Sequence, residues 1–202
     1  MSRRKNIAPK VLGLDISTKT IGFALFKKSD LELMELTHFS PVVKPRPDEL
    51  IEELIKKADI FAKKLETYKN MGIDTVVIEQ PLLTSNNVYT VGTLMRYNAL
   101  ISKIVYDTLG LVPKYISTYD SRKFAFPELY TENKKGKKVL FGGYEKGCDK
   151  KQIIWELVAE REPQITWLYT RNNTLKKENF DMTDAYACVV GYMNKLEEKE
   201  KE

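Results

Sequence analysis

At 202 residues, with 43% hydrophobic and 30% charged side chains, the chain has the size and composition of one globular domain with a substantial core. No apolar run approaches the roughly 18–20 residues of a membrane span, and one histidine and two cysteines without a CxxC pair exclude two-histidine zinc chemistry and a disulfide framework. A net charge of +5 leans towards a polyanionic partner, and the basic start MSRRKNIAPK lacks the apolar segment of a secretory signal, so a reducing, cytoplasmic setting is expected.

Residues 1–9 read as a loose basic arm. Strands are expected at about 10–16 and 20–27, joined by the polar link STKT. The period of two puts Leu12, Leu14 and Ile16 on one face and Val11, Gly13 and Asp15 on the other. Asp15 is thereby placed among apolar neighbours near a strand end, where a carboxylate is costly unless it is paired or ligates a metal. Gly13 is expected to leave open space beside it. A third strand over 31–39 completes an antiparallel meander, and Pro41, Pro45 and Pro47 mark a crossing loop.

From Asp48, a candidate cap, to about Asn70, apolar residues recur at steps of three and four, which predicts a helix closed by Gly72. Asp74 to Glu79 follows as a short buried parallel strand, then a helix from Asn86 to Leu109 stopped by Gly110, then a strand from Leu111 to Ser117. Residues 127–148 break the alternation and read as a surface insertion, with a small hairpin and the lysines Lys134, Lys135, Lys137 and Lys138. Helices are expected at Lys150 to Arg161 and from about Met182 to Lys195, with a solvated charged tail from about 195. A meander followed by βαβ units predicts one α/β domain over 1–202, a mixed sheet with helices on both sides.

Four acids stand out by position: Asp15 near the end of the first strand, Glu79 at the end of the fourth, and Asp181 and Asp184 at the opening of the last helix. Taken singly, the helical pair reads as a cap or dipole partner, and Glu79 as a solvated strand end. Spacing i, i+3 puts Asp181 and Asp184 on one helix face, and the small residues Ala185, Ala187, Cys188 and Gly191 let that helix lie close to a sheet. If all four converge, their repulsion demands a cation, and all-oxygen ligands favour Mg²⁺ or Mn²⁺. Two ions about 4 Å apart would suit phosphodiester hydrolysis.

At these residues the sequence resembles the RuvC-type Holliday-junction resolvases of the ribonuclease H-like superfamily. The segments LGLDISTKTIGFALF, VIEQPLL, DKKQI and DMTDAYACVV carry the likeness in order across most of the chain. The resemblance implies a five-stranded ribonuclease H-like mixed sheet and a homodimer that resolves four-way DNA by paired nicks. It implies two metal ions held by Asp15, Glu79, Asp181 and Asp184. The family's lysine in a K-x-Q segment falls on Lys150, which the resemblance makes a catalytic residue that neutralises the scissile phosphate, and a preceding basic residue falls on Lys123. With Lys151 and the insertion lysines, Lys123 would face DNA. Two positions depart from the family pattern. Ser17 stands where a glycine is common, and Leu82 where an aromatic often stacks at the junction centre, with Tyr89 nearby in sequence. Together with the lysine-rich insertion, these suggest a divergent, viral or phage-like member. Two alternatives stay open: an actin- or sugar-kinase-like phosphotransferase, and a catalytically silent junction-binding protein.

Overall fold

A computed structural model describes residues 8–44, 49–81 and 87–201. Strands β1 (Lys10–Ile16), β2 (Ile21–Lys27) and β3 (Leu33–Phe39) form the expected meander. Helix α1 (Leu50–Glu66) leads to β4 (Ile73–Glu79), and α2 (Val88–Leu109) leads to β5 (Lys114–Ile116). The sheet order is β3-β2-β1-β4-β5, with β4 and β5 parallel to β1. After β5 come α3 (Thr118–Ala125), a 3-10 turn, the hairpin β6 (Tyr130–Glu132) and β7 (Lys138–Leu140), α4 (Lys150–Arg161) and α5 (Glu178–Lys201).

Both faces of the sheet are covered, as the sequence suggested. Leu12, Leu14 and Ile16 pack with Phe61, Leu65, Tyr97 and Ile101 of α1 and α2. Val11, Ala24 and Val77 pack on the opposite side with Ala185, Cys188 and Val189 of α5 and Ile154 of α4. This double cover explains why IGFALF in β2 is buried at every position.

Helix α5 lies unusually near the sheet. A Cβ on Gly13 would run into the Ala185 carbonyl, and one on Gly22 into the Asp181 carbonyl. The space expected beside Gly13 is therefore filled by a helix backbone. On the far side of α5, Gly191 admits the backbone of Ser121 in α3 in the same way.

Several boundaries differ from the sequence reading. Helix α5 begins at Glu178, four residues before Met182, and runs through the charged tail to Lys201. Its first turn includes Asn179, fully buried, whose side chain bonds the backbone of Leu168 and Lys176. The predicted strand over 111–117 shrinks to three residues, and a helix absent from the sequence reading follows it. Helix α1 ends at Glu66, and Gly72 takes its left-handed conformation (φ 80°) beyond a turn. The candidate cap Asp48 lies outside the described residues.

Candidate active site

Strands β1 and β4 run side by side, with Leu14 opposite Ile78, so Asp15 and Glu79 follow together at the same edge of the sheet. On its other side Asp15 is paired in register with Gly22, the residue against which the Asp181 backbone rests. One helical turn on, Asp184 is buried at 5% exposure. The acids therefore meet because backbone meets backbone.

Their electrostatics record the proximity. Burial, then the charges of Glu79, Asp184 and Asp181, push the Asp15 carboxyl well above its usual range, against a small opposing pull from Lys151. Burial and Asp184 raise Glu79 to about 7, although a hydrogen bond from Thr118 and the charges of Arg122 and Lys151 oppose this. Burial raises Asp181 to about 6, with Lys151 opposing and Asp184 and Glu178 adding to the rise.

Cations and a hydroxyl hold the cluster. Arg122 Nη2 donates to Asp184 Oδ1 at 3.1 Å, and Lys151 Nζ lies 3.4 Å from Asp184 Oδ2. Thr118 Oγ1 donates to Glu79 Oε1 at 2.6 Å. Burial works against the Lys151 charge, but Asp184, Asp15 and Asp181 outweigh it and raise the ammonium pKa. Glu79 Oε2 is buried with no hydrogen-bond partner. An orphaned carboxylate oxygen among acids that repel one another matches the all-oxygen donor set of a hard divalent cation. Among the described residues no three acids are already turned onto a common point for such an ion; Asp184 faces its cations, and Glu79 faces Thr118. The residue types and their place fit the ion, with those side chains committed elsewhere.

No family model and no curated protein matches the sequence. Solved structures do match. Thermus thermophilus RuvC in complex with a Holliday-junction substrate aligns at TM-score 0.59 and 8% identity, over 94% of this chain and 95% of that one. A second T. thermophilus RuvC structure gives TM-score 0.53 and 12% identity, over 94% and 96% of the two chains. The yeast mitochondrial Holliday-junction resolvase Ydc2 gives TM-score 0.56 and 11% identity, over 93% and 78%. The fold is that of the RuvC-type resolvases.

Within this RuvC-type fold the other sequence candidates separate. Lys150 does not reach the acids; its ammonium lies 5.4 Å from the centre of the Phe141 ring. The next residue, Lys151, makes the contact instead. Lys123 lies over Phe124 and Tyr130, at 4.7 and 5.2 Å from their ring centres. Tyr89, 66% exposed in the first turn of α2, lines a cleft with Ser17, Thr18 and Lys19. Lys134, Lys135, Lys137 and Lys138 are exposed on the β6–β7 hairpin, and Leu82 lies outside the described residues. Ser17, where the family pattern has glycine, closes the β1–β2 turn: its hydroxyl donates to the Thr20 carbonyl at 2.8 Å and accepts from the Thr20 N–H at 3.0 Å.

Thr118 and Arg122 escaped the sequence reading because α3 has no apolar stripe; it buries only Ser121 and Ala125. A signal was present in Ser117-x-x-Asp120, a helix-start pattern, and the Ser117 hydroxyl does accept from the Asp120 N–H at 3.1 Å.

Proposed function

We propose that this chain is a divalent-metal-dependent endonuclease that cuts branched DNA, four-way junctions foremost, as a homodimer. The observation that carries the reading is the gathering of Asp15, Glu79, Asp181 and Asp184 at one sheet edge, each supplied by a separate stretch of chain or helical turn. The fold, shared with a RuvC solved on a Holliday-junction substrate, supports the choice of DNA.

In this reading the four carboxylates hold Mg²⁺ or Mn²⁺, with two ions per site. When bound, the ions supply an acidified water and charge stabilisation for the leaving oxygen. Attack on phosphorus breaks the bond to the 3′ oxygen, leaving a 5′-phosphate and a 3′-hydroxyl. Arg122 and Lys151 balance the acids before loading, and Lys151, half exposed, would meet a phosphate oxygen afterwards. Thr118 holds one oxygen of Glu79 and leaves the other unpartnered for the ion. Lys150, over the Phe141 ring and in one cleft with Thr118 and Arg122, contributes positive charge at the margin rather than direct contact with the acids. Two copies related by a two-fold axis would make symmetric nicks.

The test is incubation with four-way, forked and linear DNA, with Mg²⁺ and with chelator. Paired cuts in the four-way substrate that vanish in chelator are expected. Cutting in chelator, or none on any branched DNA, overturns the reading.

A further inference from the structure

A cleft of about 1010 Å³ opens beside the acid cluster, reaching from Asp181 and Lys151 past Thr170 to Lys176, Lys177 and Lys19. Lys19, Lys176 and Lys177 are exposed, and no carboxylate lies within ion-pair distance of any of them among the described residues. Of the acids on the cleft wall, Asp149 is committed to capping α4 through the N–H groups of Lys151 and Gln152, Asp181 belongs to the centre, and Glu178 opens α5.

The wall that carries the lysines is held in place. Residues 168–176 fold back on themselves: the Thr170 N–H donates to the Thr174 carbonyl at 2.8 Å, and the Lys176 N–H to the Leu168 carbonyl at 3.0 Å. Asn173 turns the tip in the left-handed region (φ 60°). The buried Asn179 side chain clamps both ends, through Leu168 and Lys176. Two unpaired ammonium groups on this preformed wall, with Lys19 on the β1–β2 turn as a third, make an anion track that ends at the acids. Lys19 also lines the cleft beside Tyr89, so the track continues across the Ser17–Thr20 turn.

We propose that this cleft binds the sugar-phosphate backbone of the strand being cut, on one side of the scissile phosphate, with Lys176 and Lys177 as its phosphate contacts. The inference rests on the nuclease reading above and adds the path of the strand.

Binding of a four-way DNA junction by full-length Asp15→Asn protein, titrated over salt concentration, tests it. The same background carrying Lys176→Gln and Lys177→Gln should bind several-fold more weakly. Its slope of log affinity against log salt should be shallower by up to about 1.8, at ~0.9 for each of two duplex phosphate contacts. The backbone bonds of Lys176 to Leu168 and Asn179 survive the change, and an unshifted melting temperature confirms the fold. A charge-matched control, Lys199→Gln with Lys201→Gln, lies roughly 33 Å along α5 from Lys177, at ~1.5 Å per residue and beyond the screening length. It should leave the slope unaltered. An unchanged slope in the first variant, or an equal drop in both, overturns the track and leaves the nuclease reading standing. Failure of the Asp15→Asn parent to bind any branched DNA removes the reading and the track together.

Discussion

The Arg122 guanidinium donates to the Asp184 carboxylate at 3.1 Å, with side-chain exposures of only 15% and 7%. The contact ties α3 to α5 and supplies the cation nearest an acid cluster that otherwise repels itself. Replacing Arg122 with Gln leaves Asp184 with Lys151 alone. A loss of about 2–3 kcal/mol in metal-free protein is expected, because a buried carboxylate loses its charged donor. Chemical denaturation checks this, and added Mg²⁺ should restore part of the loss if the acids bind the ion.

Stability of the metal-free protein should fall as pH rises. Glu79 is raised from 4.5 to about 7 and Asp181 from 3.8 to about 6, so folding favours their protonated forms. Between the ordinary and the raised values the folded state holds protons that the unfolded state has released, and stability drops across that window. Melting temperature in chelator should therefore decline from about pH 4 to about pH 7 and then level. Stabilisation by Mg²⁺ should grow over the same interval. A melting temperature that climbs through this range would contradict the raised values.

Asp15→Asn should abolish cutting, by ~10²-fold or more, while junction binding persists. Cleavage on a denaturing gel and a gel-shift on the same DNA separate the two effects. Undiminished cutting would remove Asp15 from the centre.

Gly22→Ala forces a methyl group into the Asp181 carbonyl. The start of α5 must lift from the sheet, at about 1–3 kcal/mol. Because the same contact sets Asp181 beside Asp15, activity should fall further than that of a distant variant of equal stability. Denaturation and a rate measured well below the melting temperature distinguish the two.

Neutralising Lys134, Lys135, Lys137 and Lys138 should weaken junction binding and flatten its salt dependence, by up to ~0.9 in slope for each lysine that contacts a duplex phosphate. An unaltered slope would make the hairpin an ordinary solvated loop.

Much of the sheet was legible in the sequence because its signals are geometric. The alternation in β1 assigned Leu12 and Leu14 to one core and Val11 to the other, and the structure packs them so. The four acids were conspicuous because each falls at the end of an apolar stretch. What escaped lacks an apolar signature. Helix α3 buries two small residues, and the first turn of α5 is set by the hydrogen bonds of Asn179 rather than by hydrophobic periodicity. Lys150 and Lys151 could not be told apart without the rotation of α4. With Ile154 and Val158 buried, Lys150 lies above the core stripe and over Phe141, and one residue's turn of about 100° carries Lys151 to the acids.

The seating of α5 on Gly13 and Gly22 has a bearing on how this centre tolerates change. Where main chain touches main chain, the gap between the acid-bearing strand and the acid-bearing helix is dictated by atomic radii, not by the volume of any side group. Drift elsewhere in the interior can then alter shape and sturdiness while the spacing among the carboxylates stays put.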